Sequence, residues 1–450
     1  MALMPFTDSM FLLVESREHP MHVGGLQLFR KPEGAGADFL RGLREDLLKS
    51  DEVPPLFRRR PARPVNTAGY LAWSQDSDVD LDYHFRHSAL PEPGRVRELL
   101  ELTSRWHSTL LDRHRPLWEI HLVEGLRDGR FAMYSKIHHA LMDGVSALRH
   151  LQGTLSSDPD DHACPPPWGS RRAPREKANR SFVRTARSSL SQLAGLPPAA
   201  VRVANEAFRE HSLLLPMQAP RTMFNVPIGG ARRFAAQSWP LSRVRSIAVK
   251  TNTSRNDVVL AMCAGALRDY LIEQSALPDA PLVAMVPVSM RKQAETESSG
   301  NQIGALLCNL GTDKTDAAAR LATIHRSMRD AKRIFKELTP VQALLLSGIN
   351  VAQLGISTVP GVVTNTRPPF NLVISNVPGP RSQMYWNGAQ LDGIYPASVL
   401  LDGQALNITL TNNGDNLDFG ITGCRRSVPH LQRLLLHLDT ALTELEAAVG

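Results

Sequence analysis

The chain has 450 residues, 42% hydrophobic and 21% charged, with a net charge of +7 from 51 basic and 44 acidic side chains. At roughly 100–200 residues per domain this length predicts two to three domains, and the balance excludes a disordered or collagen-like chain. Four dispersed cysteines without a C-x-x-C pair speak against a disulfide framework and for a reducing compartment, and no apolar run approaches the ~20 residues of a membrane-spanning helix.

The positive charge gathers in two knots. One is Arg58, Arg59, Arg60 and Arg63; the other runs from Arg171 and Arg172 through Arg175, Lys177, Arg180 and Arg184 to Arg187. No aromatic-rich binding motif accompanies either knot, so nucleic acid is not the expected partner. An anionic membrane surface, a phosphate-bearing co-substrate and a plain solvated face all fit. Met1 to Leu13 carries Asp8 and lacks a basic n-region, unlike a signal peptide.

The first 160 residues read as mixed strands and helices. Val23 to Phe29 has strand character, and Phe39 to Leu48 places Leu40, Leu43, Leu47 and Leu48 on one helical stripe, with Asp38 at the N-cap. Leu117 to Val123 and Phe131 to Ile137 are apolar runs of strand length, joined by an Arg127-Asp128-Gly129 turn that suggests close pairing. Residues 161–235 change character: Cys164-Pro165-Pro166-Pro167-Trp168 breaks regular structure, and a partly helical crossover linker follows. Residues 236–450 alternate again. Helices are expected over Asn256 to Glu273, Ala317 to Leu338 and Val428 to Val449. Strands are expected over Leu282 to Val288, Phe370 to Ser375, Ala405 to Thr411 and Leu417 to Thr422. Leu338 to Thr366 carries no charged residue, which suits either a hydrophobic wall for an alkyl chain or two ordinary core helices. The pattern is α/β in two similar-sized halves.

The most informative stretch is Ser135 to Ser146, where His138-His139-Ala140-Leu141-Met142-Asp143-Gly144 lies between an apolar strand and a helix. Asp143 is placed to cap that helix, whose apolar stripe is Val145, Leu148, Leu151 and Leu155. Adjacent residues of an extended segment point to opposite faces, so His138 and His139 do not both enter one reaction centre unless the strand has already bent. Spacing alone does not choose between them, and a pair of neutral core histidines is the other reading. His139 and Asp143 are four apart, yet no H-E-x-x-H and no paired cysteines complete a metal shell, so no metal is expected. A G-x-S-x-G elbow is also missing.

This stretch resembles the HHxxxDG signature of the CoA-dependent acyltransferase superfamily. Further blocks are similar, in order, to one branch, the bacterial wax ester synthase/diacylglycerol acyltransferases. They are Pro20-Met21-His22-Val23-Gly24-Gly25-Leu26, Asp80-Leu81-Asp82-Tyr83-His84, Pro116-Leu117-Trp118-Glu119, Asn256-Asp257-Val258-Val259-Leu260, Val286-Pro287-Val288-Ser289-Met290-Arg291, Gly300-Asn301-Gln302 and Ser375-Asn376-Val377-Pro378-Gly379-Pro380. The resemblance implies a two-lobed, chloramphenicol-acetyltransferase-like sandwich with a channel between an N-terminal lobe, 1–160, and a C-terminal lobe, 236–450. It implies transfer of a long-chain acyl group from acyl-CoA to a long-chain alcohol or diacylglycerol, by direct attack in a ternary complex. No cofactor is held permanently, and acyl-CoA is a co-substrate. A cytoplasmic protein is implied, with peripheral contact at the inner membrane face or lipid inclusions.

The shared core HxxxDG selects His139 as general base, His138 as its support and Asp143 as a structural residue, with Arg291 as candidate partner. Gly144 would let the backbone approach the acyl donor. A neutral imidazole near its unperturbed pKa of ~6.5 suits the task, so activity is expected to rise with pH through that value. Asn256 is the first candidate oxyanion donor, with a helix cap as its alternative role. Asn376 and Ser375 follow in a strand-end turn, and Trp118 is either a pocket wall or a core residue. Competing readings are a small-alcohol or condensation-type acyltransferase, and a non-catalytic lipid-surface protein.

Overall fold

The computed structural model describes residues 2–49, 52–63, 71–169, 219–289, 303–337 and 367–450. The basic knot at 171–187, Arg291 and the charge-free stretch 338–366 lie outside the described residues.

The first part of the chain forms β1 (Ala2–Leu3), α1 (Phe6–Val14), β2 (His22–Arg30), α2 (Phe39–Leu48), β3 (Arg59–Ala62), β4 (Ala72–Gln75), α3 (Leu81–His84), β5 (Phe85–Ala89), α4 (Val96–Ser108), β6 (Trp118–Glu124), β7 (Phe131–His138) and α5 (Gly144–Gly153). The second part forms β8 (Arg232–Pro240), α6 (Leu241–Lys250), α7 (Arg255–Glu273), β9 (Val283–Ser289), β10 (Ile303–Asn309), α8 (Ala317–Glu337), β11 (Leu372–Val377), β12 (Tyr385–Trp386), β13 (Ala389–Ala397), β14 (Leu406–Asn413), β15 (Asn416–Cys424) and α9 (Arg433–Ala448). Most of the elements expected from the sequence fall within a residue or two of their observed bounds. The last helix begins at Arg433, five residues later than its apolar pattern suggests, because Val428 and Leu431 are buried in a turn before it.

Two six-stranded sheets carry the fold. The first runs β12-β13-β2-β7-β6-β5 and the second β10-β9-β11-β14-β15-β8. Helices α6 to α9 cover one face of the second sheet, and α7 has buried residues on every side, from Asp257 through Leu271. A helix that is apolar all round is a core helix, and its N-cap is Ser254, whose side chain accepts the Asp257 N–H.

The chain does not divide cleanly at residue 236. β13, far along the second part, pairs antiparallel with β2 of the first, from Gln390↔Arg30 to Ala397↔Gly24. The same strand meets the second sheet. The Ile394 N–H donates to Asp418 Oδ2 at 2.7 Å, and the Ser398 N–H donates to Thr422 Oγ1 at 3.2 Å. Gly420 permits this approach, since a Cβ there would sit 1.9 Å from the Pro396 carbonyl oxygen. From α4, Ser104 and Ser108 accept the backbone N–H groups of Phe234 and Arg232 on β8. The lobes are therefore fastened by backbone hydrogen bonds to side chains, which fix angle and spacing in a way apolar contact alone does not.

Candidate active site

The site is built at the C-terminal end of β7. β7 lies between β2 and β6, with Phe131 through His138 buried without interruption. The ladder pairs His22 with His138, and one residue further the Met21 carbonyl accepts the His139 N–H at 2.7 Å. On the other side the Leu117 carbonyl accepts the His138 N–H at 3.0 Å. The Pro20–Leu26 and Pro116–Glu119 blocks are thus the two backbone neighbours of the histidine pair.

The chain bends immediately after the pair. Leu141 and Met142 N–H groups both reach the His138 carbonyl, and Asp143 then caps α5. Asp143 Oδ1 accepts the Ser146 N–H at 2.8 Å and Oδ2 accepts the Ser146 hydroxyl at 2.9 Å. Both carboxylate oxygens are engaged in starting the helix, which fits a structural residue. Gly144 opens α5 with only Val23 Cγ1, at 3.6 Å, near the position of an added Cβ.

The two histidines part company as alternation predicts. His138 is fully buried, its Nδ1 accepts the Ala140 N–H at 3.0 Å, and its Nε2 stands 3.2 Å from Glu15 Oε1, close but poorly aligned. Glu15 also binds Arg113 at 2.8 Å and accepts the Met21 N–H at 3.1 Å. Burial alone would raise the Glu15 carboxyl; His138 and Arg113 outweigh it and hold the group below the usual carboxylate range. His139 is half-buried, and its ring stacks on Phe11 of α1 with centroids 4.1 Å apart and planes 25° from parallel. Its Nδ1 is sealed without a hydrogen-bond partner. Among the described residues no hydrogen bond reaches Nε2.

Burial lowers the His139 pKa to about 4; the Asp143 carboxylate opposes the shift and the His138 ring adds to it. This corrects the expected value of ~6.5, which described a solvated imidazole. The enclosed ring stays neutral, and so able to accept a proton, through the whole physiological range.

The remaining candidates separate by sheet face. On β11, Ile374 packs among the helices of the second lobe, and Asn376 shares its face. Asn376 Nδ2 accordingly meets Asn256 Oδ1 of α7 at 3.5 Å. Asn256 is not the helix cap, a role Ser254 fills. Ser375 lies on the opposite face with Val377, and Val377 packs into the first-lobe cluster that holds Ala140, Leu141 and Val145. The structure thus brings Asn256 and Asn376 together, and it puts Ser375 on the side turned toward the histidine motif. Trp118 is a core residue, fully buried, with its indole N–H donated to the Phe57 carbonyl at 2.8 Å and its ring stacked on His84 at 4.3 Å. It forms no open wall.

Phe11, Glu15 and Arg113 were not legible as site residues. α1 carries no motif, and Arg113 is 98 positions from the carboxylate it holds.

Comparison with known proteins identifies the family. Residues 4–259 match the model of the wax ester synthase/diacylglycerol acyltransferase catalytic domain, and residues 299–446 match that of the WS/DGAT C-terminal domain. A Mycobacterium tuberculosis protein named as a probable diacylglycerol O-acyltransferase, tgs2, is 55% identical over 453 residues, covering all of both chains. The O-acyltransferase WSD of Acinetobacter baylyi is 43% identical over 98% of this chain and 96% of its own. The solved wax ester synthase/diacylglycerol acyltransferase from Marinobacter aquaeolei VT8 superposes with a TM-score of 0.80 at 42% identity, covering both chains completely. The first condensation domain of the calcium-dependent antibiotic synthetase, at 17% identity and a TM-score of 0.60 over 100% of this chain and 96% of that one, shares the two-lobed fold alone. The chain belongs to the wax ester synthase/diacylglycerol acyltransferase family of O-acyltransferases.

Proposed function

We propose that this protein transfers a long-chain acyl group from acyl-CoA to a long-chain alcohol or to diacylglycerol, with His139 as general base. The observation that supports the reading most is the contrast within the histidine pair: His138 is fully buried, with its Nδ1 on the Ala140 N–H and its Nε2 3.2 Å from Glu15, whereas the His139 ring is half-buried at the strand end, with no hydrogen bond to its Nε2 among the described residues.

In this reading acyl-CoA enters between the lobes and the alcohol arrives from the other side. Nε2 takes the hydroxyl proton as the oxygen attacks the thioester carbon, forming the new C–O bond. The tetrahedral oxyanion collapses, the C–S bond breaks, and the imidazolium returns its proton to the leaving sulfur as free CoA thiol. No acyl-enzyme is needed. Ser375 is the oxyanion or substrate contact favoured by its sheet face, while Asn256 and Asn376 support one another on the helix-covered side. Asp143 and Gly144 shape the motif, and no metal takes part. A long-chain acceptor lives in membranes or lipid inclusions, which makes peripheral contact with such a surface part of the proposal. Among the described residues no helix is long and apolar enough to cross a membrane.

The test is thiol release from palmitoyl-CoA against fatty alcohols, diacylglycerol and short alcohols, with His139→Ala as control. Long alcohols or diacylglycerol should be preferred, and His139→Ala should abolish turnover while melting normally. Short-alcohol preference would point to the small-alcohol reading. No release with any acceptor would point to a non-catalytic lipid-binding protein. Retained turnover in folded His139→Ala would remove the imidazole from the mechanism.

A further inference from the structure

The first helix touches both histidines. Phe11 lies on α1, and Glu15, four residues on, is its C-cap, with its N–H donated to the Phe11 carbonyl. Phe11 stacks on His139 and Glu15 contacts His138. The helix is fastened at each end. Before it, β1 pairs with β4 and the Met4 N–H donates to the Leu71 carbonyl. After it, Arg113 binds both the Leu12 carbonyl and the Glu15 carboxylate. Its outer side exposes Met10 and Leu13. Phe11 is half-buried: it packs against the first-lobe core cluster and its ring is stacked on the His139 imidazole.

From this placement we infer that Phe11 is a positioning residue for the transfer reaction, an aromatic cover that orients the His139 ring and keeps water off it. The inference rests on His139 being the base. Two consequences follow from the chemistry. A covered imidazole resists protonation, because an apolar wall cannot solvate the cation. Water is also a competing acceptor: if it reaches the thioester beside an active base, acyl-CoA is hydrolysed to fatty acid and free CoA thiol. Phe11 should then set both the acidic limb of the rate profile and the ratio of transfer to hydrolysis.

Among the described residues the charged and titratable groups around the ring are few. His138 lies on β7, Asp143 caps α5, Asp8 and Glu15 flank Phe11 along the α1 segment, and Arg113 holds Glu15. An aromatic face also attracts an imidazolium, which would act in the opposite sense. The direction in which the acidic limb moves therefore discriminates between the two effects.

The experiment compares wild type with Phe11→Ala, Phe11→Leu and Phe11→Tyr, using palmitoyl-CoA and hexadecanol. Ester formation and acceptor-free thiol release are measured from pH 3 upward, together with the melting temperature at each pH. Phe11→Ala should lower ester formation about tenfold or more and move the acidic limb from about 4 toward ~6.5. It should also raise hydrolysis relative to transfer. Phe11→Tyr, which keeps the ring, should restore the wild-type limb and ratio. Phe11→Leu should fall between them, and it carries the comparison if the alanine variant does not fold. A lower rate with unchanged limb and unchanged ratio would make Phe11 ordinary packing and overturn the inference, as would a limb displaced to lower pH. Failure of the underlying reading looks different: His139→Ala would then keep wild-type turnover, or wild type would show no acceptor-dependent release.

Discussion

At the residue scale the motif assigns unlike tasks to neighbours. Asp143 uses both oxygens on Ser146, His138 is buried between the Ala140 N–H and Glu15, and His139 is half-buried against Phe11. Asp143 and Gly144 should therefore fail in opposite ways. Asp143→Ala removes an N-cap and is expected to cost about 1 kcal/mol of stability, read as a lower urea midpoint. Gly144→Ala meets only Val23 within the protein and replaces glycine at a helical position by a better helix former. Its melting temperature should hold or rise while turnover falls, because the space beside Gly144 is the donor's in the proposed mechanism. A stable Asp143→Ala with selectively lost chemistry, or a fully active Gly144→Ala, would contradict these roles.

At the element scale the junction of β13 and β15 stands out. Asp418 is fully buried on β15 and reaches across to accept the Ile394 N–H. Burial, the largest influence, pushes its carboxyl up to about 7, against the pull of its hydrogen bonds. The unfolded chain ionises this group near ~3.9. Its contribution to stability is thus complete below ~4 and is lost as pH rises through about 7. Asn at this position accepts the same N–H without a charge. Asp418→Asn should therefore gain on the wild type between pH 5.5 and 8, on the order of 2 kcal/mol by urea unfolding. A stability difference independent of pH would mean that the carboxyl is ionised in the fold at both values.

At the scale of the whole molecule the fold buries neutral histidines in number. Burial brings His139 to about 4 and His107 to about 3, and it holds His22 well below its ordinary range. His84, His121 and His150 are lowered by the same cause. All titrate near ~6.5 once unfolded. Their contribution is present above ~6.5 and lost as pH falls toward about 4 and about 3. The melting temperature should drop steeply between pH 6.5 and 5, with proton uptake on unfolding of about three or more at pH 5. Calorimetry in buffers of different ionisation enthalpy measures that uptake, and a flat profile would show that these rings are solvated. Taken with Asp418, the optimum should lie near neutrality.

What the sequence determined by itself was local. Helical stripes, strand runs, the Asp143 cap and the alternation that separates His138 from His139 all follow from periods of two and 3.6 residues within short windows. The ordered motif blocks carried the family, and with it the two-lobed sandwich. Tertiary structure alone decided the rest, because burial and pairing bring together groups that no spacing rule connects. Trp118 closed into the core, Asn376 met Asn256 of α7, and Val377 on the Ser375 face packed into the first-lobe cluster. The same holds for β13, which crosses to complete the first sheet, for Phe11, which stacks on His139 from 128 positions away, and for Arg113, which holds Glu15 from 98 positions away. The lowered pKa of His139 belongs here too, since it is a property of enclosure, and enclosure exists only once the lobes have packed.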